Sequence, residues 1–133
     1  MGMTGARRLP QGEHAPSILV VEDEPLVRAV AVIHLQECGF SIIEAQDADE
    51  AMLILRHDRS IAAVFSDVQM PGRMDGLALA HWLADTYPTV KVLLTSGRMV
   101  PDKPREWRFL AKPYKLEDLE QELRNLLIAR PES

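Results

Sequence analysis

Glu22, Asp23, Asp67, Thr95 and Lys112 are side chains of the types that handle a phosphoryl group, provided the fold brings them together. Asp67 closes the apolar run Ile61-Ala62-Ala63-Val64-Phe65-Ser66 and is followed by Val68-Gln69-Met70-Pro71-Gly72. Glu22-Asp23-Glu24 follows Ile18-Leu19-Val20-Val21, and Lys112-Pro113 follows Phe109-Leu110-Ala111. Acids and a lysine at the ends of buried strands face the crevice where open α/β sheets bind ligands. At 4 Å two such carboxylates repel by about 4 kcal/mol at an effective dielectric near 20. A hard divalent cation relieves this, and Mg²⁺ prefers one or two carboxylates, water and phosphate oxygens. Lys112 adds a point donor for an anionic oxygen. An aspartate in that setting can attack phosphorus and hold the phosphoryl group as an acyl phosphate. Cation and lysine then balance charge on the equatorial oxygens. Thr95 offers a hydroxyl, and the small Ser96 and Gly97 leave room beside it.

The elements that must position these groups are legible as alternating periods. Strands are expected at Ile18–Val21, Ser41–Ala45, Ile61–Ser66, Val90–Leu94 and Trp107–Ala111. Pro25 suits the first turn of a helix that ends near Cys38, with Gly39 as its C-terminal cap. Asp47 and Glu50 have capping-box spacing before a second helix. A third helix is expected from Gly76 to about Thr86 and a last one from Leu116 to Ala129, whose leucines recur at steps of three and four. Continuous apolar strands alternating with helices predict an α/β fold, a doubly wound five-stranded parallel sheet. Pro101 and Pro104 break the stretch from Ser96 to Glu106, so a fourth helix there is expected to be short or missing.

A chain of 133 residues forms about one domain, and 47% hydrophobic residues suffice for a core. Residues 1–16 are expected to be a flexible N-terminal tail and residues 17–130 the folded domain, with no output domain. The net charge of −5 disfavours nonspecific nucleic-acid binding. No apolar stretch approaches the ~20 residues of a membrane span. Cys38 is the single cysteine, so no internal disulfide forms and a cytoplasmic location is expected. His14, His34, His57 and His81 show no metal-ligand spacing and are read as surface or core residues. Helix Leu26-Val27-Arg28-Ala29-Val30-Ala31-Val32-Ile33 is apolar almost all round, which fits a docking face for a partner's helices or for a second copy in a homodimer.

The ordered set Glu22-Asp23, Asp67 in Asp-x-x-Met-Pro-Gly, Asp75-Gly76, Thr95 and Lys112-Pro113 resembles the response-regulator receiver domain of two-component signalling, over about residues 17–129. The resemblance implies a flavodoxin-like strand order 2-1-3-4-5 and Asp67 as phosphoacceptor. It implies Mg²⁺ held by Asp23, Asp67, Glu22 through water, and the backbone carbonyl of Gln69. It gives Lys112 the phosphoryl oxygens, makes Thr95 and Phe109 the switch pair, and makes the Lys112–Pro113 peptide cis. It further implies a histidine kinase or histidine phosphotransfer protein as donor, with output by protein contact to a downstream target or by onward phosphorelay. The chain would not be a turnover enzyme: only Mg²⁺-dependent self-phosphorylation and autodephosphorylation are expected. The alternative is a phosphorylation-independent binding module of the same fold. An aspartyl phosphatase of the haloacid dehalogenase type commonly has a second Asp two positions after the nucleophile, where this chain has Gln69. Two features depart from the pattern: Arg73 is an extra residue in the loop after Asp67, and the 96–106 stretch is proline-broken, which bears on the usual output surface. Gln69 is placed to orient a hydrolytic water.

Overall fold

A computed structural model describes residues 15–98 and 107–128. The elements run β1 (Ser17–Val21), α1 (Pro25–Glu37), β2 (Ser41–Ala45), α2 (Ala48–His57), β3 (Ile61–Asp67), α3 (Gly76–Thr86), β4 (Lys91–Ser96), β5 (Arg108–Ala111) and α4 (Leu116–Ile128). The five strands are all parallel, in the order β2-β1-β3-β4-β5. The fold class, strand order and helix placement expected from the sequence are therefore found. Most of the segment expected to lack a helix, residues 99–106, lies outside the described residues, as do residues 1–14 of the expected tail.

Alternation along the central strands divides the core in two. Ile18 and Val20 of β1, Ala63 and Phe65 of β3, and Leu93 of β4 pack with Ala31, Leu35, Leu119 and Leu123 of α1 and α4. Leu19, Val21, Val64 and Leu94 point to the opposite face and meet Ala51, Leu55, Leu79 and Leu83 of α2 and α3. This is why the central strands read as unbroken apolar runs: each successive side chain enters one core or the other.

Local chemistry fixes where the helices start and stop. The Asp47 side chain accepts from Glu50 N–H at 2.8 Å. Glu50 reaches back to Gln46 N–H at 2.8 Å, one residue before the usual capping-box partner. At the other end of the preceding helix, Gly39 takes φ +102°. There Gly39 N–H bonds Gln36 O and Phe40 N–H bonds Leu35 O, the paired bonds of a Schellman motif. The strands β4 and β5 differ from expectation at their ends. The parallel ladder carries β4 on through Thr95 and Ser96, which pair with Leu110 and Ala111. Strand β5 begins at Arg108, and Trp107 instead lays its ring edge-on to His81 of α3, with centroids 4.7 Å apart.

Candidate functional site

The C-terminal ends of β1, β3, β4 and β5 deliver the expected residues to one edge of the sheet. Asp67 is the last residue of β3 and is registered against Thr95 of β4. Glu22 directly follows β1, and its N–H extends the ladder to Ala45 O at 3.1 Å. Lys112 directly follows β5, anchored by its N–H to Ser96 O at 3.0 Å, and its peptide bond to Pro113 is cis.

The three acids converge. Carboxylate oxygens of Glu22, Asp23 and Asp67 lie within 4.8 Å of one another, with Glu22 and Asp67 buried. Lys112 Nζ donates to Asp67 Oδ2 at 2.6 Å and to Glu22 Oε1 at 3.4 Å. The remaining oxygens are also fixed: Asp67 Oδ1 accepts from Gln69 N–H at 3.1 Å, and Glu22 Oε2 from Glu24 N–H at 3.1 Å. Arg28 braces this corner from α1, donating to Glu22 O at 2.7 Å and to Glu44 Oε1 at 3.0 Å.

Charge at this edge is unbalanced. Burial pushes the Glu22 carboxyl above its ordinary range; the Glu24 N–H and Lys112 oppose this, while neighbouring Asp67 adds to it. For Lys112 burial favours the neutral form, but hydrogen bonding and charge from Asp67, then Glu22, outweigh it and hold the ammonium above its usual range. Among the described residues three carboxyl groups share this one ammonium, a deficit of positive charge. An all-oxygen cluster with that deficit fits a hard divalent cation such as Mg²⁺.

Gly76 explains why Asp75-Gly76 belongs to the pattern. The Asp75 side chain caps α3 by accepting from Ala78 N–H at 2.9 Å, and Gly76 N–H bonds Val68 O at 2.9 Å. A Cβ at Gly76 would fall 2.0 Å from the carbonyl oxygen of Asp67. Helix α3 therefore starts against the peptide of Asp67, and only a residue without a side chain permits that approach.

Thr95 and Gln69 are near the acids but engaged elsewhere. Thr95 Oγ1 donates to Leu110 O at 2.6 Å. The Gln69 side-chain oxygen accepts from Ser96 Oγ at 2.7 Å, and Ser96 Oγ in turn accepts from Arg98 N–H at 3.0 Å. Ser96 is thus a site residue that sequence reasoning used only as a small neighbour. Phe109 is partly buried and packs against the core on the α2/α3 side. The extra residue Arg73 is 90% exposed and 3.9 Å from Asp49, a pairing worth little.

Beside Lys112 runs an apolar groove of about 630 Å³ between α1 and the start of α4, lined by Leu26, Val27, Val30, Pro113, Tyr114 and Lys112 itself. Tyr114 is fixed edge-on against Phe65, with centroids 5.8 Å apart. Leu26 and Val30 are 81% and 53% exposed. No helix among the described residues is long and apolar enough to cross a membrane.

Residues 18–124 match the family of the response regulator receiver domain. The chain is 30% identical over 118 residues to the response regulator receiver protein CpdR of Brucella abortus, covering 84% of this chain and 97% of that one. It is 34% identical over 119 residues to the sensor kinase CckA of the same organism, covering 84% of this chain but 12% of the kinase. Among solved structures it resembles the receiver domain from the hybrid histidine kinase CckA, with 33% identity, a TM-score of 0.72, and coverage of 84% of this chain and 98% of that one. It also resembles the response regulator protein TrrA from Thermotoga maritima in complex with Mg(2+)-BeF, with 27% identity, a TM-score of 0.77, and coverage of 84% and 99%.

Proposed function

Since the chain belongs to the response regulator receiver domain family of two-component signalling, we propose that it accepts a phosphoryl group on Asp67 from a phosphohistidine of a histidine kinase or phosphotransfer protein. The observation that carries this reading is the convergence of Glu22, Asp23 and Asp67 around one ammonium, Lys112. Mg²⁺ held by Glu22, Asp23, Asp67 and the Gln69 carbonyl would neutralise the acids and the incoming phosphoryl oxygens.

The chain's own groups account for the rest. An Asp67 carboxylate oxygen forms the new bond to phosphorus while the phosphorus–nitrogen bond breaks, and the imidazole leaves as a neutral base after taking a proton. Lys112 already donates to Asp67 Oδ2, so its ammonium stands beside the oxygens that gain charge in transfer. After transfer, Thr95 exchanges its bond to Leu110 O for one to a phosphoryl oxygen. The residue beside that carbonyl, Phe109, answers by changing its packing. Output follows through a protein contact or onward phosphorelay, and the cytoplasm is the setting.

The groove next to Lys112 supports the partner class. A histidine-bearing helix laid on Leu26 and Val30 brings its phosphorylated ring to the edge where Lys112 and Asp67 meet. The test is uptake of one phosphoryl group from a small acyl phosphate in the presence of Mg²⁺, followed by intact mass spectrometry. Uptake is expected in the wild type and its loss in Asp67→Asn and on chelation of Mg²⁺. A wild type that takes up no phosphoryl group would instead be a binding module that works without phosphorylation.

A further inference from the structure

The far end of α1 carries a second group of ligand-type side chains that the phosphoryl chemistry does not use. His34 lies in the last turn of α1 and Cys38, four residues on, caps that helix, while Glu120 meets them from α4. His34 Nε2 lies 3.5 Å from Cys38 Sγ and 3.7 Å from Glu120 Oε1. All three ligand atoms lie within 4.8 Å of one another. We propose that His34, Cys38 and Glu120 form a binding site for a borderline divalent transition-metal ion, Zn²⁺, that ties the last turn of α1 to α4.

The geometry can accommodate a metal ion. Zinc bonds of about 2.3 Å to sulfur and about 2.0 Å to nitrogen and oxygen, at tetrahedral angles, set S···N at about 3.5 Å and N···O at about 3.3 Å. The observed edges are 3.5 and 3.7 Å. The Cys38 thiol also hydrogen-bonds the Glu120 carboxylate, so the three side chains are already held together by protons that a metal ion would replace. The carboxylate is also held in a ligand's pose. Arg124 binds the other oxygen, Oε2, through Nε at 2.9 Å, leaving Oε1 to face His34. Arg124 is itself fixed, donating to Cys38 O at 3.3 Å and lying over the Phe40 ring at 5.6 Å. This is the outer support that ligating carboxylates require.

The donor set of one thiol, one imidazole and one carboxylate selects a borderline metal rather than Mg²⁺. With three protein ligands the fourth corner is left to water. On coordination the thiol proton goes to solvent, and thiolate and carboxylate together match the two positive charges of the ion. The acid cluster of the phosphoryl site lies at the opposite end of α1, roughly 15 Å along the helix axis, so the two metals do not share ligands.

The test uses the full reduced chain and Co²⁺ as the spectroscopic stand-in for Zn²⁺. Titration is expected to produce a thiolate-to-cobalt charge-transfer band with tetrahedral ligand-field absorption, bleached by one equivalent of Zn²⁺. The band is expected to persist in Asp67→Asn and to vanish in Cys38→Ser. Saturating Zn²⁺ is expected to raise the thermal midpoint of the wild type, and that rise to fall by more than half in His34→Gln, whose folding is checked by circular dichroism. No band in the wild type, or one that survives Cys38→Ser, overturns the assignment. So does a zinc-induced rise undiminished in folded His34→Gln.

Discussion

Lys112 is the residue on which the electrostatics of the phosphoryl site turn, since it is 2.6 Å from Asp67 and 3.4 Å from Glu22. In Mg²⁺-free buffer Lys112→Met removes the ammonium that Asp67 and Glu22 both bond. Stability at pH 7 is expected to fall by about 2 kcal/mol, below the 3–5 kcal/mol of a fully buried pair, because the ammonium is 26% exposed. The pH dependence has a definite sign. The folded pKa of Lys112 is raised, so its contribution is complete below the ordinary value of 10.5 and is lost as pH climbs through the higher folded value. Urea denaturation over a pH series is expected to show a wild-type advantage that is constant from pH 7 towards 10.5 and shrinks beyond it. An advantage undiminished well above that range would assign the effect to packing instead of charge. The acids and the lysine were legible in the sequence because each follows an apolar strand run. The Ser96–Gln69 bond was not, because it joins the end of β4 to the loop after β3, an approach no local spacing encodes. Nor was His34–Cys38–Glu120, because the histidines were read as surface or core side chains and the third group comes from a distant helix.

At the level of elements, the close start of α3 on β3 is the most demanding contact. In Gly76→Ala the new methyl meets the Asp67 carbonyl oxygen at 2.0 Å and Val68 Cα at 2.9 Å, both backbone atoms that cannot swing aside. Stability is expected to drop by about 1–3 kcal/mol. Phosphoryl uptake from a small donor is expected to slow by roughly a hundredfold, since Asp67 moves with its peptide. Denaturation midpoints and uptake rates check the two effects separately, and a variant with wild-type uptake would show that the approach is not needed for chemistry. Helix starts and stops were readable where Pro25, Gly39 and Asp47 act within one turn of their own positions. The extension of β4 through Thr95 and Ser96 was hidden, because those residues are polar and only their pairing, Thr95 with β3 and both with β5, makes them strand. The edge strands β2 and β5 also lack the burial of the central strands, so their apolar patterns were weaker guides.

Across the whole molecule, the groove along α1 separates recognition of a protein donor from the chemistry at Asp67. Leu26→Glu and Val30→Glu alter side chains that are mostly exposed, so stability is expected to change by no more than about 0.5 kcal/mol. Transfer from a phosphorylated protein donor is expected to slow at least several-fold in each, while uptake from a small acyl phosphate stays at the wild-type rate. Equal slowing with both donors would remove the groove from partner recognition. The layered architecture was foreseeable from strands and helices alternating along the chain, whereas the groove depends on how α1 and α4 sit side by side, which periodicity does not specify. Lys112 belongs to both the acid cluster and the groove wall, and that shared membership has a thermodynamic consequence. A visitor seated in the groove and an anion captured at the sheet edge each bias the orientation of the same ammonium. Their binding free energies are thereby coupled, and whatever factor one occupant imposes on the other's affinity is returned in equal measure.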